Sequence, residues 1–363
     1  MISLDFAPNE KKDDAFYSLS LLLQPHLWRR GEGEKRLNDV MSTLFPGFAF
    51  SYFFSGRAAL FHLLTSFHLP KDSAIAITGF TCSAVAIPAI RAELHPVYID
   101  IEKETFAMTL ADVQKKWNNS IRVLILQHTF GLVPRDRDKI LAFAKERHII
   151  VIEDLAHGIS PHLHYDSYLL LSFGRSKWIS SVFGAAIGHP KGKSLPRATR
   201  VVPASLLIRA LLFKPLSVFI QATYDIYIGK IKLWFCRKTQ LIVPELSQEE
   251  KKGKWSNEYD YDFPNALALL LLHQLKKRME KKQFKNRSPR LINNRDEVLA
   301  RLAKKHIFLG RWYTQPVAPL GLPLDSVRYQ KGSCPIAEDV CAHIINLPLG
   351  PDMPHIQKII DEL

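Results

Sequence analysis

The chain is poor in the features that most readily assign a protein to a class. Its four cysteines, Cys82, Cys236, Cys334 and Cys341, form no C-x-x-C pair and lack the spacing of a disulfide framework or zinc site. They are expected to be reduced thiols, and no metal site is expected. No uninterrupted run of about 18 apolar residues occurs, which disfavours a membrane-spanning helix. The N-terminus, Met1-Ile2-Ser3-Leu4-Asp5-Phe6, lacks a basic segment followed by an apolar one, so the protein is expected in the cytoplasm rather than outside the cell. Internal repeats and low-complexity tracts are missing too. Acids are in deficit: 35 Asp and Glu stand against 49 Lys and Arg, a formal net charge of +14. The excess is regional, with ten Lys/Arg and one acid from Lys191 to Lys238, and nine and one from Lys276 to Arg295. Such windows suit phosphate-rich ligands, an anionic membrane surface or simply two solvated helix faces. No helix-turn-helix, zinc-finger or aromatic RNA-binding pattern accompanies them, so nucleic acid is not an expected partner.

What the chain does have is size and apolar content. With 363 residues, 47% of them hydrophobic, it exceeds one compact core, which implies two domains or one large domain with an appendage. Between Ser55 and Gly188 short apolar runs alternate with helical patterns. Ala74-Ile75-Ala76-Ile77-Thr78, Pro96-Val97-Tyr98-Ile99-Asp100, Val123-Leu124-Ile125-Leu126-Gln127, Ile149-Ile150-Val151-Ile152 and Leu169-Leu170-Leu171-Ser172 read as buried strands. Thr109 followed by Asp112 starts one intervening helix, and Asp136 to Arg147 forms another. This order predicts an α/β protein with a mainly parallel sheet covered on both faces and ligands at the carboxyl ends of the strands.

Residues 1–245 are expected to form an arm and the large domain, and 246–363 a smaller C-terminal α+β domain. Within the first part, an apolar insertion at about 204–236 is interrupted by Arg209, Lys214, Asp225 and Lys230, and Pro215 is expected to break any helix there. Core burial, a dimer interface or a helical hairpin lying in the membrane interface would each accommodate it. Glu245 to Trp255 reads as a linker, Pro264 to Arg287 as a long helix, and Ile356 to Leu363 as a final helix.

The most informative pair is Asp154, in Val151-Ile152-Glu153-Asp154-Leu155-Ala156-His157, and Lys177, in Ser172-Phe173-Gly174-Arg175-Ser176-Lys177. A carboxylate ending a buried strand, with a lysine just past the next strand, is what pyridoxal phosphate chemistry requires. The lysine forms a Schiff base with the cofactor aldehyde, and the carboxylate keeps the pyridinium nitrogen protonated so that the ring accepts electrons.

With Ser55-Gly56-Arg57-Ala58-Ala59-Leu60, Phe80-Thr81, Pro96-Val97-Tyr98-Ile99-Asp100, His128-Thr129-Phe130-Gly131, Tyr259-Asp260-Tyr261, Cys334-Pro335-Ile336-Ala337-Glu338-Asp339 and Leu347-Pro348-Leu349 in the same order, the chain resembles the DegT/DnrJ/EryC1/StrS family of fold type I pyridoxal phosphate enzymes over roughly residues 20–363. The resemblance implies a three-layer fold, pyridoxal 5′-phosphate as cofactor and a homodimer with sites at its two-fold interface. It also implies transfer of an amino group from glutamate or glutamine to a keto sugar, usually nucleotide-linked, for amino-sugar or surface-polysaccharide synthesis. Lys177 is then the catalytic residue, carrying the cofactor and shuttling a proton. The residues implied to bind the cofactor are Gly56 and Arg57 at a helix start, Ser172 at the phosphate, Asp154 at the ring nitrogen, and His157 and Cys82 against the ring.

The chain departs from the family pattern in several places: the segment between Asp154 and Lys177 is shorter than usual and lacks the Gly-Asp pair before Ser-Phe, and Ser180-Ser181-Val182-Phe183-Gly184-Ala185-Ala186 replaces a glycine-richer turn. Cys82 replaces an aromatic ring, Arg57 replaces Thr or Ser, and Tyr259-Asp260-Tyr261-Asp262 replaces Tyr-Asn-Tyr-Arg, whose Asn and Arg reach the neighbouring subunit's phosphate. Arg57 and Arg175 are expected to compensate by clamping the phosphate from within the same chain. Two other readings remain open at this level: a non-catalytic or cofactor-weak regulatory protein, and an enzyme peripheral to the inner membrane face that acts on lipid-linked sugars.

Overall fold

The computed structural model describes residues 2–3, 6–191, 197–349, 357 and 361. Seven strands form the central sheet in the order Phe48–Phe53, Ala185–Pro190, Tyr168–Ser172, Ile150–Asp154, Ile121–Gln127, Ala74–Thr78, His95–Ile99. The last five of that order run parallel, and Ala185–Pro190 is antiparallel to both of its neighbours. The mainly parallel α/β sheet expected from the apolar runs is therefore the one observed. Sequence reading overlooked two of its members, Phe48–Phe53 at the edge and Ala185–Pro190, the one strand that runs against the others.

Alternation along the strands assigns each side chain to a layer, since successive residues face opposite sides of a pleated sheet. Val123, Ile125, Ile152, Leu170 and Ile187 enter one core together with Leu60, Leu63 and Ile87 of two covering helices, Gly56–Ser66 and Ser83–Arg91. On the opposite face Leu124 and Leu126 meet Ile140 and Phe143 of the helix Arg137–Glu146. Leu169 and Leu171 face the same way further along the sheet. They share a cluster with Leu21, Leu37, Leu211 and Leu271, from four more helices. Burying one such aliphatic side chain contributes about 1.5–3 kcal/mol, so this layering rather than local propensity holds the sheet. The C-terminal segment pairs Arg287–Leu291 antiparallel with Ile344–Pro348, and Val317–Ala318 pairs with Thr81–Cys82 beside the main sheet.

Three local expectations are corrected. Pro215 does not break the apolar insertion: the helix Ala204–Thr223 runs through it, and a second helix, Ile228–Lys238, folds back upon the first. A proline removes the donor that the carbonyl four residues earlier would receive. Here that carbonyl, Leu211 O, accepts instead from the buried Ser18 hydroxyl at 2.7 Å. The helix is long and apolar enough to cross a membrane by length and composition. It is nonetheless built into the protein, because Lys214 at its centre is buried against Glu10 at 2.6 Å. The long helix ends earlier than expected, at Asn265–Glu280, because Lys282 takes a left-handed backbone (φ 48°) and the chain turns toward the strand Arg287–Leu291. Finally, residues 245–255 are not a bare linker. Ser247 caps a short helix, Gln248–Lys251, and Glu250 is buried. The expected last helix, Ile356 to Leu363, lies almost wholly outside the described residues.

Candidate active site

At the carboxyl ends of the parallel strands lies a cavity of about 380 Å³ lined by Gly56, Arg57, Cys82, Asp154, His157, Ser172 and Lys177 among others. All seven residues singled out from the sequence thus meet in one place, although they span 122 positions of the chain. Asp154 ends its strand, Ser172 ends the neighbouring one, and Lys177 follows five residues later on the loop that leaves it.

One Asp154 oxygen accepts from the Ala156 N–H at 2.9 Å. Burial pushes the carboxyl above the usual range, while that N–H and the Lys177 ammonium pull it back. Lys177 is affected in the opposite sense: burial lowers its ammonium, Cys82 and Asp154 oppose that, and Arg287 adds to it. Its Nζ lies 4.8 Å from the Trp312 ring centroid. Among the described residues no carboxylate comes within ion-pair distance of it, so the amine faces the cavity without a salt-bridge partner. The backbone at Lys177 is fixed from afar, since Asn9 Nδ2 donates to the Lys177 carbonyl.

The phosphate end of such a site needs donors, and the helix Gly56–Ser66 presents its N-terminus there. Ser55 caps it, accepting from Ala58 N–H at 3.2 Å. The first N–H groups of a helix have no internal partner, and the helix dipole favours an anion beside them. A Cβ built on Gly56 would sit 3.8 Å from Ser172 Oγ, so these two residues face each other across a space that glycine keeps open.

Arg57 lines the cavity, but its guanidinium already has partners. Nε pairs with the buried Glu250 at 2.8 Å, and Nη2 donates to the Glu245 carbonyl at 2.9 Å. Arg175 behaves similarly, donating to the Val243 carbonyl and lying 3.9 Å from Glu245. The expected clamp of both side chains on a phosphate gives way to an anchoring of segment 243–250. This correction follows from Glu250, a buried carboxylate that itself requires a cation.

His157 is also committed on both ring nitrogens. Nδ1 accepts from the Phe130 N–H at 3.1 Å, which places the ring proton on Nε2, 2.9 Å from the Tyr313 hydroxyl. Burial, helped by Lys177 and Arg287, holds its pKa well below the usual value, so the ring is neutral. What His157 can present to a ligand is a ring surface rather than a free nitrogen. Cys82 occupies the residue before the helix Ser83–Arg91 without a side-chain capping bond, and it borders the cavity. Asp260 is outside the cavity lining and pairs with His62 at 2.9 Å, and Asp262 accepts from the Phe263 N–H at 2.9 Å.

Several contributors were not singled out by sequence reasoning. Trp312 and Tyr313 form one wall and Glu245 borders the cavity. Glu153, beside Asp154, points away into a buried network. Arg137 donates to it at 2.6 and 2.9 Å, Ser167 at 2.6 Å, and His128 lies 2.9 Å away. Burial alone would raise that carboxyl, but His128, Arg137 and Ser167 overcome it and bring it to about 2. The network locks the strand end that carries Asp154. Strand alternation could have indicated that Glu153 faces away from its neighbour, but not which partners meet it.

The residues present fit pyridoxal 5′-phosphate: a helix N-terminus and a serine for the phosphate, an aspartate for the ring nitrogen, and an amine without a carboxylate partner. Known proteins point the same way. The chain is 26% identical over 314 residues to the GDP-perosamine synthase of Escherichia coli O157:H7, covering 84% of this chain and 81% of that protein. Its fold matches that of the Helicobacter pylori aminotransferase of pseudoaminic acid biosynthesis, with TM-score 0.67, 15% identity and coverage of 99% and 100%. It also matches a sugar aminotransferase of Streptococcus pneumoniae in its PLP-form, with TM-score 0.65, 17% identity and coverage of 98% and 96%. Residues 12–168 and 248–363 match the description of one aminotransferase family, leaving out the stretch that holds Ser172 and Lys177. Lys177 is therefore singled out by the cavity and not by that match. On these grounds the chain is a pyridoxal phosphate enzyme that belongs to the DegT/DnrJ/EryC1/StrS aminotransferase family.

Proposed function

We propose that the protein moves an amino group from glutamate or glutamine to a keto sugar carried on a nucleotide, in the formation of amino sugars for surface polysaccharide. The observation that carries this reading is the convergence of Asp154 and Lys177, from adjacent strand ends, on one cavity that also receives a helix N-terminus. When bound, pyridoxal phosphate supplies the electron sink and carries the amino group between the two substrates. The chain's own residues supply the rest. Gly56, the Arg57 backbone and Ser172 hold the phosphate, and Asp154 keeps a proton on the ring nitrogen. Lys177 Nζ, favoured in its neutral form by burial, takes the substrate's proton and returns it. Trp312 and Tyr313 wall the substrate side and limit its water.

The likeness to GDP-perosamine synthase over most of both chains supports a nucleotide sugar as acceptor. A homodimer is part of the proposal, to be tested by light scattering. The family match and the convergence of Lys177 and Asp154 on one cavity support the enzyme reading over a non-catalytic one.

The test is an absorbance scan of the purified protein with pyridoxal phosphate, followed by borohydride reduction and peptide mass spectrometry. A band at about 410–430 nm that disappears with glutamate, and a label on Lys177, are the expected results. A label on another lysine, or none, refutes the assignment. A panel of keto sugar nucleotides then identifies the acceptor.

A further inference from the structure

The apolar insertion divides into a buried helix and an exposed one, and the exposed helix has an unusual outer face. On Ile228–Lys238, Gly229, Leu233 and Cys236 turn inward. Gly229 leaves no room for a side chain, because a Cβ there would run into the Ile220 carbonyl. Ile228, Ile231, Trp234 and Phe235 recur at spacings of three and four and so share the opposite face. Ile231 is 67% and Trp234 61% exposed, and Ile226 and Tyr227 at the preceding turn are 65% and 64% exposed. Large apolar side chains gathered this way on a free surface mark a contact site.

The charges around the stripe indicate what covers it. Lys230 and Lys232 flank it, and Arg237 and Lys238 close its end, while no acid occurs from Ile226 to Pro244. The nearest acid, Asp225, is bound to His306 Nδ1 at 2.6 Å. Lys230 Nζ lies 4.2 Å from the Tyr227 ring centroid. A second copy is a poor occupant, because a two-fold contact sets the same patch against itself and would bring these cations together. An anionic bilayer satisfies both features: Trp, Phe and Ile enter the headgroup boundary while Lys and Arg meet the lipid phosphates.

We propose that the helix Ile228–Lys238 docks the enzyme, lying flat, on an anionic lipid surface. Eleven residues rise only about 16 Å, far less than the roughly 30 Å hydrocarbon core, so the helix rests in the interface and does not span. The lipid surface would hold the enzyme near membrane-linked steps that consume an amino sugar. The inference does not depend on which sugar the cavity accepts.

The experiment is sedimentation of the full-length protein with vesicles of phosphatidylcholine alone, or with about 30% phosphatidylglycerol added, at low and high salt. Binding to the anionic vesicles alone, weakened roughly tenfold or more by high salt, is expected. Lys232→Gln and Lys238→Gln should each weaken it about fivefold. Ile231→Asp/Trp234→Asp should abolish it while leaving thermal stability and the cofactor absorbance intact. No sedimentation at low salt overturns the proposal, and so does binding that survives the double variant. Self-association lost in the same variant without lipid binding assigns the face to a second copy, and capture of an acidic protein without lipid binding assigns it to a protein partner. Either outcome also refutes lipid docking.

Discussion

Replacing Lys214 by methionine tests whether the N-terminal arm is tied to the loop that carries Lys177 through a buried charge. Lys214 and Glu10 have no exposed side-chain surface, and their atoms meet at 2.6 Å. Lys214 also donates to the Ser180 carbonyl at 2.9 Å, and Gln274 accepts from the Ser180 N–H at 2.7 Å while lying 3.3 Å from Glu10. The pair therefore braces the residues just after Lys177. Without Lys214, Glu10 retains only the long Gln274 contact, since its other oxygen has no hydrogen-bond partner among the described residues.

Removing one member of a buried pair costs about 3–5 kcal/mol, because the partner's charge stays buried. With an unfolding entropy of about 2.1 cal/mol/K per residue, a chain of 363 residues loses about 4–7 °C in melting temperature. The loss should shrink on acidification. Burial already raises the Glu10 carboxyl above its ordinary 4.5, and loss of Lys214, which lowers it, raises it further. A carboxyl whose folded pKa is raised loses stability as pH rises from its unfolded to its folded pKa, so the variant approaches the wild type as pH falls toward the unfolded value. Differential scanning calorimetry at several pH values provides the measurement, with Glu10→Leu/Lys214→Met as the companion. The double variant should recover most of the loss. A single variant melting within about 1 °C of wild type, or a double variant no better than the single, refutes the argument.

Three further outcomes are expected. Glu153, brought to about 2 from 4.5, contributes stability that is present above pH 4.5 and lost as pH falls toward 2, on the order of 3 kcal/mol. Glu153→Gln should flatten the urea midpoint across that range. Asp154→Asn removes a charge-assisted hydrogen bond worth about 1.5–3 kcal/mol and should slow amino transfer about 10- to 150-fold, as read by stopped-flow absorbance with glutamate. An unchanged rate would mean that another group faces the ring nitrogen. Ser18→Ala strands the Leu211 carbonyl inside the helix that contains Pro215 and should cost about 1–3 kcal/mol in urea unfolding, without changing the fold.

The sequence by itself determined the parallel part of the sheet and singled out Asp154 and Lys177, which the fold brings to one cavity. Runs such as Ile121–Gln127 and Ile150–Asp154 are short, apolar and β-branched, and a carboxylate at the end of one with a lysine past the next carries its meaning locally. The strands Phe48–Phe53 and Ala185–Pro190 escaped notice because they pair with each other and with Tyr168–Ser172, a long-range choice that their own residues do not announce.

Only the tertiary structure decided which polar groups are already paired. Arg57 meets Glu250 across 193 positions, His157 meets Tyr313 across 156, and Asn9 reaches the Lys177 carbonyl across 168. It also decided that Pro215 can sit inside a helix, because Ser18 supplies the missing donor, and that one half of the apolar insertion is core while the other faces outward. The reason is the same in each case: a side chain's type sets what it can bond to, but which bond it makes depends on chain closure and packing that bring distant groups within about 3 Å.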